Sequence, residues 1–118
     1  MTSEAKSQPQ LRLIGLGEMA PGEHRFDAAQ IAVGSGGDND FVIAHPSVSR
    51  KHAVIRREGN GFYRIEDLAS TNGTFVNRRR IQQPIRLQPG DEIGFGIMEY
   101  GVGPGYYKYK DIQHLPTF

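Results

Sequence analysis

Glycine and proline interrupt this chain at short intervals, and these interruptions constrain its fold more than any other feature of the sequence. The 118 residues include 15 glycines and 7 prolines, which leave few stretches long enough for a helix of average length, about 11 residues. The stretches between them are rich in Val, Ile, Phe, Tyr and Leu, the residues that favour β-strands. Seven of these stretches are predicted strands: Leu11–Leu16, Ile31–Val33, Phe41–Ala44, His52–Arg57, Phe62–Glu66, Thr74–Asn77 and Glu92–Ile97.

Turn-forming sequences separate the predicted strands, among them Gly36-Gly37-Asp38, Asn72-Gly73 and Pro89-Gly90-Asp91. Short strands at this spacing predict an all-β protein, either a β-sandwich or a barrel. The stretch Ser47–Glu58 contains neither glycine nor proline, so it is also long enough for a helix. Its second half contains an Ala-Val-Ile run that suits a buried strand, and we therefore interpret this stretch as a loop followed by a strand.

The length suits one compact domain, and composition divides the chain into three parts. Residues 1–10 are polar and predict a disordered leader, residues 11–110 form the predicted domain, and residues 111–118 form a C-terminal tail. Near the end, Tyr106–Ile112 is either a last strand or a tail. The leader lacks the hydrophobic stretch of a signal peptide, so we expect a cytoplasmic location. No apolar run approaches the roughly 20 residues that a membrane-spanning helix needs, and we expect no membrane partner.

Cysteine content and charge exclude several classes of function. The chain has no cysteine, which excludes a disulfide framework, a cysteine-ligated zinc finger and a thiol nucleophile. Fourteen Lys and Arg against thirteen Asp and Glu give a net charge of +1. This balance gives no overall reason to bind nucleic acid. We expect neither a metal nor a cofactor.

Two charged clusters have ordinary structural interpretations. Asp38-Asn39-Asp40 lacks the glycine and glutamate spacing of a calcium-binding loop, so we predict that it forms a turn. Arg78-Arg79-Arg80 is interpreted as a solvated hairpin, because three charges without an aromatic platform make a poor site for nucleic acid.

Strand direction predicts which loops lie together. If the strands from residue 41 onward run antiparallel, the loops that precede the strands at residues 52 and 74 lie at the same end of a sandwich. We call these segments, His45–Lys51 and Ser70–Thr74, the apical loops. The loop Ser35–Asp40 can reach the same end. The apical loops are therefore expected to be neighbours although about 20 residues separate them in the sequence.

The apical loops carry hydroxyl, amide and cationic groups with a single carboxylate nearby. Such a set suits an anion with several acceptor oxygens. A phosphate accepts charge-assisted hydrogen bonds from Arg50 or Lys51 and neutral hydrogen bonds from hydroxyl groups such as those of Ser49 and Thr71. Hydrogen bonds to a charged group contribute about 1.5–3 kcal/mol each, so two or three of them support a weak but specific site. The amide of Asn72 both donates and accepts, which suits it to hold the backbone of an extended peptide.

Several sequence runs together resemble the forkhead-associated (FHA) domain. The two main runs are Pro46-Ser47-Val48-Ser49-Arg50-Lys51-His52 and Asp67-Leu68-Ala69-Ser70-Thr71-Asn72-Gly73-Thr74-Phe75-Val76-Asn77. Gly34 with the Asp-Asn-Asp turn, and the later run Gly90-Asp91-Glu92-Ile93, fit the same pattern in order and spacing. The resemblance covers about Leu11–Tyr109. It implies an antiparallel β-sandwich of about eleven strands, of the FHA/SMAD-like type, that binds phosphothreonine peptides through loops at one end.

The resemblance also implies roles for individual residues. Ser49 and Thr71 match residues that bond the phosphate, and Arg50 matches a position that often contributes a further donor. Asn72 matches the asparagine that holds the peptide backbone beside the phosphothreonine. Lys51 supplies a second cation at the same predicted site.

Three further residues are expected to support the site without binding the ligand. The resemblance implies that His52 braces the loop that carries the binding serine. Gly73 is expected to permit a turn that a side chain would strain. Gly34 is the third residue of this supporting set.

Two positions depart from the family pattern. Ser35 stands where the family has an arginine that normally contacts the phosphate, and serine supplies neither a charge nor a bidentate fork. The absence of this arginine costs on the order of 1.5–3 kcal/mol of binding free energy, roughly tenfold to a hundredfold in phosphopeptide affinity. Two alternatives remain open: Arg50, Lys51 or another basic residue compensates for the missing charge, or the domain binds protein without recognising phosphate. Arg78 stands where the family often has glycine, and strand direction places it in a hairpin at the opposite end.

These observations predict a non-catalytic module that binds a phosphothreonine protein, the product of a Ser/Thr kinase, through the apical loops. The alternative is an FHA-like domain that binds protein independently of phosphate, because of Ser35. Ser49, His52 and Asp67 also suggest a hydrolase triad, but no nucleophile elbow or oxyanion motif accompanies them, so we predict no enzyme.

Overall fold

The computed structural model describes residues 11–16, 22–59, 61–96 and 105–109, and all regular structure in these residues is β-strand. The eleven strands are β1 (Leu11–Gly15), β2 (Glu23–Phe26), β3 (Gln30–Gly34), β4 (Phe41–Val42), β5 (Ala53–Arg57), β6 (Tyr63–Asp67), β7 (Thr74–Val76), β8 (Arg79–Arg80), β9 (Ile85–Leu87), β10 (Glu92–Phe95) and β11 (Gly105–Tyr109). The predicted all-β class with about eleven strands is confirmed. The predicted leader, residues 1–10, and the predicted tail, residues 111–118, lie outside the described residues.

The strands form two sheets. The six-stranded sheet has the order β2-β1-β11-β10-β7-β8, and the five-stranded sheet has the order β4-β3-β5-β6-β9. All pairings are antiparallel except that of β3 with β4, which is short and parallel. The chain passes from one sheet to the other between β6 and β7, and this crossing carries the second apical loop.

Side-chain alternation along the strands builds the core between the sheets. Leu11 and Leu13 of β1, Ile65 of β6, and Ile93 and Phe95 of β10 are fully buried. Burying one such side chain contributes about 1.5–3 kcal/mol, so the core dominates the stability of the fold. In β5, the central strand of its sheet, three successive residues are buried, as the Ala-Val-Ile run predicted.

Each of the seven predicted strands overlaps an observed strand, but three short strands were missed. These are β2, β8 and β9, each of which is the terminal strand of its sheet. Their sequences, EHRF, RR and IRL, are short and rich in charge. A terminal strand is half solvated and needs no apolar alternation, so hydrophobic periodicity does not reveal it.

A two-residue turn at Asn77 and Arg78 joins β7 to β8 at the end opposite the apical loops. Both residues have positive φ, 52° and 69°. The Asn77 side chain anchors the turn, because its Nδ2 donates to Asp91 Oδ1 at 2.9 Å and its Oδ1 accepts from the Glu92 backbone N–H at 3.0 Å. Arg78 therefore belongs to a hairpin remote from the candidate site, as strand direction predicted.

Within the described residues there is no helix long and apolar enough to cross a membrane.

Candidate functional site

The two apical loops contact each other directly. The backbone N–H of Thr71 donates to the hydroxyl oxygen of Ser49 at 3.1 Å. Close by, Nδ2 of Asn72 donates to the carbonyl oxygen of Ser47 at 2.8 Å. The prediction that these loops are neighbours, made from strand direction, is confirmed by these contacts.

His52 lies behind the two loops and bonds to both of them. Its ring is fully buried, Nδ1 accepts the backbone N–H of Ser49 at 3.0 Å, and Nε2 donates to the carbonyl oxygen of Gly73 at 2.8 Å. These two partners require a neutral ring with its proton on Nε2. Burial lowers the pKa of His52 below its ordinary value of 6.5, and the hydrogen bond to Gly73 opposes this shift without reversing it.

The bonding of His52 bears on the alternative of a hydrolase triad. Both ring nitrogens already bond to backbone groups, so neither is placed to take a proton from the Ser49 hydroxyl. The carboxylate of Asp67 bonds instead to Ser70 and Thr74. The residues suggested for a triad are thus close in space, but their hydrogen bonds serve the loops.

A third loop, between β3 and β4, holds the backbone at Ser49 and Arg50. Ser35 N–H donates to the carbonyl oxygen of Ser49 at 3.0 Å, and Gly36 N–H donates to that of Arg50 at 3.2 Å. The Asn39 side chain adds a second donor to the Arg50 carbonyl, at 2.8 Å. The expectation that this loop can reach the apical end is therefore met, and Asn39 does more than form a turn.

Gly34 is required by a close approach of two backbone segments. A Cβ added at this position would lie 2.1 Å from the carbonyl oxygen of Arg50 and 2.9 Å from Nδ2 of Asn39. Any side chain there would push away the loop that carries Ser49 and Arg50. The sequence indicated a supporting role for Gly34, and the structure supplies this physical reason.

The second apical loop is stabilised by the carboxylate of Asp67, the last residue of β6, and by its own Ser70 side chain. Asp67 accepts the Ser70 backbone N–H at 3.0 Å and the Thr74 hydroxyl at 2.7 Å, and Ser70 Oγ accepts the Gly73 N–H at 3.0 Å. Burial by itself raises the pKa of Asp67, but the hydrogen bonds from Ser70 and Thr74 outweigh it and lower the pKa below 3.8. The loop is therefore fixed before any ligand arrives.

Gly73 ends this loop with a φ of +98°, a conformation that favours glycine. Its carbonyl oxygen accepts from both His52 Nε2 and the Gly96 N–H. A Cβ at Gly73 would lie 2.7 Å from Nε of Arg80, so the arginine side chain covers the open side of this glycine. Sequence reasoning missed this position of Arg80, because a contact between a turn and a separate edge strand leaves no local signal.

The groups that face solvent at the apical loops are donors and cations. Arg50 and Thr71 are exposed, and Ser49 and Asn72 are partly exposed. Within the described part of the chain, the Arg50 guanidinium has no carboxylate partner, and the Ser49 O–H has no protein acceptor. Lys51 Nζ lies 3.4 Å from Asp38 Oδ2 in a solvent-exposed pair, an interaction worth at most about 1 kcal/mol.

The structure thus places all six predicted binding residues and the three supporting ones at the apical end of the sandwich. Ser35 contacts the apical loops through its backbone N–H, but its side chain brings no charge. Among the residues that the structure covers, no group of three His, Asp or Glu side chains is arranged to hold a metal ion. The arrangement offers donors and positive charge, a chemistry that suits an anion.

The fold and these contacts define a β-sandwich whose candidate site is built from loops at one end. The FHA domain family model matches residues 31–96, more than half of the chain. The chain belongs to the FHA domain family. FHA domains are interaction modules that recognise phosphorylated motifs, and this membership supports the interpretation that the domain is not an enzyme.

Two curated relatives illustrate the sequence similarity. The transcriptional regulatory protein EmbR of Mycobacterium tuberculosis is 43% identical over 68 residues, which cover 58% of this chain and 17% of EmbR. The glycogen accumulation regulator GarA of Mycolicibacterium smegmatis is 34% identical over 86 residues, which cover 73% of this chain and 53% of GarA. The chain therefore spans about half of GarA and a small part of EmbR.

Solved structures show the same similarity. Mycobacterium tuberculosis EmbR in complex with a low affinity phosphopeptide has a TM-score of 0.73 at 30% identity, over 88% of this chain and 25% of that one. A domain from a structural and functional analysis of phosphothreonine-dependent FHA domain interactions has a TM-score of 0.69 at 28% identity, over 86% of this chain and 95% of that one. Both similarities extend beyond residues 31–96 to most of the sandwich.

Proposed function

We propose that this domain binds a phosphothreonine segment of a partner protein at the apical loops. The observation that carries the proposal is the contact between the two apical loops, in which the Thr71 backbone N–H donates to the Ser49 hydroxyl oxygen at 3.1 Å beside the exposed residue Arg50. The backbone at Ser49 and Arg50 is already held by His52 and by the loop between β3 and β4. A phosphate would thus meet donors that are oriented beforehand, which reduces the entropic cost of binding.

Each predicted binding residue has a role in this proposal. Ser49 and Thr71 donate hydroxyl hydrogen bonds to phosphate oxygens, and Arg50 adds a charge-assisted bond, with Lys51 contributing positive potential nearby. Asn72 uses one amide N–H to hold the Ser47 carbonyl. Its second N–H and its Oδ1 are available in this proposal for the peptide backbone next to the phosphothreonine.

Similarity supports this proposal. EmbR, to which the chain is similar, has been solved with a phosphopeptide, and the second solved domain comes from work on phosphothreonine-dependent FHA interactions. A cytoplasmic location, where a Ser/Thr kinase would supply the phosphorylated partner, stays a prediction.

The test compares one peptide in three forms: with phosphothreonine, with phosphoserine and with unmodified threonine. We expect measurable binding of the phosphothreonine form, and at least tenfold weaker binding after Ser49→Ala or Arg50→Gln, because each removes a bond to a charged group. Isothermal titration calorimetry measures the affinities. Arg25→Gln, which removes an exposed charge from β2, is the matched control and should bind normally. Equal affinity for the phosphorylated and unmodified peptides would refute the proposal.

Ser35 favours a second candidate, an FHA domain that binds its partner without phosphate. This alternative predicts that the partner protein binds equally well before and after phosphatase treatment. It also predicts that Ser49→Ala and Arg50→Gln leave that binding intact. Phosphatase sensitivity of the complex therefore separates the two candidates.

A further inference from the structure

One side of the sandwich carries a groove that the apical site does not use. Strands β8 and β9 are the terminal strands of the two sheets, and a groove of about 750 Å³ lies along them. We call it the lateral groove. Its lining combines apolar residues, Val76, Ile81 and Ile85, with arginines and glutamines. Terminal strands also present unpaired backbone groups, which an extended peptide can bond.

The charge of the lateral groove is positive. Arg79, Arg80 and Arg86 line it, and Asp91 is the one carboxylate among its described lining residues. Asp91 is already occupied, since its oxygens accept from Asn77 Nδ2 at 2.9 Å and from the Gln88 N–H at 2.8 Å.

The arginines of the groove are poorly neutralised. Across the described ranges, neither Arg79 nor Arg80 forms an ion pair with a carboxylate. Arg86 Nε lies 3.8 Å from Glu58 Oε1, and its guanidinium lies over the Phe62 ring at 4.7 Å from the centroid. The groove therefore retains a positive field in a protein whose net charge is only +1.

Arg80 joins the lateral groove to the apical loops. Its side chain covers Gly73, the residue that follows Asn72 in the second apical loop. A smaller pocket of about 290 Å³ shares Arg80, Ile81, Gln82 and Gln83 with the lateral groove. Toward the apical end it is also lined by Glu66, Asp67 and Ala69, so the positive charge is confined to the lateral groove itself. The surface is thus continuous from the apical end to the side of the sandwich.

We propose that the lateral groove binds an acidic, extended and unphosphorylated segment of a partner protein. Carboxylates of such a segment pair with Arg79 and Arg80, the glutamines bond its backbone, and the apolar lining accommodates the stems of its side chains. A nucleic acid fits less well, because the described lining residues include no aromatic side chain on which a base can stack. The groove's own binding is independent of the apical site. Only its cooperation with that site, through Arg80, rests on the proposed function.

The direct test is a titration of the ¹⁵N-labelled protein with a peptide that carries a run of Asp and Glu, followed by NMR. Its matched probe has Asn and Gln at the same positions. We expect the acidic peptide to shift the amide signals of Arg79–Arg80 and Ile85–Leu87. Exchanging both arginines, in Arg79→Gln/Arg80→Gln, should weaken the binding roughly fivefold, as expected for two partly solvated ion pairs.

The matched control is Arg12→Gln/Arg25→Gln, which removes the same charge from β1 and β2, at the opposite edge of the six-stranded sheet. It should bind the acidic peptide as the unmodified protein does. Equal weakening by the two double variants, or shifts spread evenly over the surface, would refute a specific groove. Stronger binding of a single-stranded oligonucleotide than of the acidic peptide at these amides would refute the peptide as its occupant.

A second experiment places the acidic run beside a phosphothreonine in one peptide. We expect the acidic run to increase affinity about fivefold over the neutral sequence. We expect Arg79→Gln, which leaves the Arg80 side chain against Gly73, to reduce that increase while the phosphate contribution remains. No increase, together with undisturbed groove signals, would refute the inference and leave the proposed function intact. Groove shifts with the acidic peptide but no phosphothreonine binding would refute the proposed function alone.

Discussion

The Nε2–H of His52 donates a hydrogen bond to the carbonyl oxygen of Gly73 at 2.8 Å, across an interval of 21 residues. The other ring nitrogen accepts the backbone N–H of Ser49. One buried side chain thus joins the two apical loops, and the position of Ser49 depends on it.

Replacing His52 should destabilise the fold and disorder the site. His52→Ala leaves the Ser49 N–H and the Gly73 carbonyl without this partner in a buried space, and it also creates a cavity. We expect a loss of about 2–4 kcal/mol in the free energy of unfolding, measured by urea denaturation.

His45→Ala is the matched control for this substitution. His45 is only partly buried, and its Nδ1 accepts the Ser47 backbone N–H within its own loop. We expect a loss below about 1 kcal/mol. Equal losses for the two variants would contradict the connecting role of His52.

The fold should become less stable as the pH falls below about 6.5. The pKa of His52 is lower in the folded protein than its ordinary value of 6.5, so the unfolded chain takes up a proton first. This contribution to stability is complete above pH 6.5 and is lost as the pH falls through the folded pKa. Measuring the free energy of unfolding between about pH 7.5 and pH 5 should show the decline, and His52→Gln should reduce its slope. An unchanged slope in His52→Gln would contradict the assignment.

Gly34 should tolerate no side chain. In Gly34→Ala the new methyl group would overlap the Arg50 carbonyl, so we expect a loss of about 1–3 kcal/mol in stability, together with weaker phosphopeptide binding. Gly37 lies in the loop that follows β3, and a Cβ added there would have nothing within 4 Å, so Gly37→Ala should change stability by less than about 0.5 kcal/mol. Thermal denaturation of both variants checks this contrast.

The sequence was sufficient to predict the central strands and the proximity of the apical loops, because the strands follow from hydrophobic patterning and the proximity follows from strand direction. It was insufficient to predict the role of Asn39. This residue was interpreted as a turn former, although its side chain bonds to the carbonyl of Arg50, 11 residues away. Arg80 was missed for a similar reason. Its contact with Gly73 depends on how β8 lies against β7, and no local pattern encodes that arrangement.

The hairpin between β7 and β8 contains a correctable strain. Two-residue turns with positive φ at both positions favour Asn-Gly, and here the second residue is Arg78 at φ 69°. Arg78→Gly should raise the free energy of unfolding by about 0.5–1 kcal/mol, because glycine avoids the cost of this conformation. The exposed contact of Arg78 with Glu92 is 4.0 Å long, so its loss should matter little.

Arg79→Gly provides the matched control for the hairpin, because it removes the same side chain from a residue with strand geometry. Glycine weakens a strand, so this variant should lose about 0.5–1 kcal/mol. Chemical denaturation measures both changes. Destabilisation by Arg78→Gly as large as that by Arg79→Gly would show that the turn is not strained.

Ser35→Arg is the sharpest change for the proposed function. The Ser35 N–H bonds to the carbonyl of Ser49, so residue 35 already lies beside the candidate phosphate position. An arginine there adds a charged, bidentate donor, and we expect phosphothreonine peptides to bind roughly tenfold to a hundredfold more tightly. Ser35→Lys, which adds charge without the planar fork, should gain less affinity for these peptides.

Calorimetric titration compares the unmodified protein and the two variants with phosphorylated and unmodified peptides. A gain confined to the phosphorylated peptide would mean that Ser49, Arg50 and Thr71 form a working phosphate site that lacks only this arginine. No gain with Ser35→Arg would mean that the surface has been rebuilt for a partner recognised without phosphate.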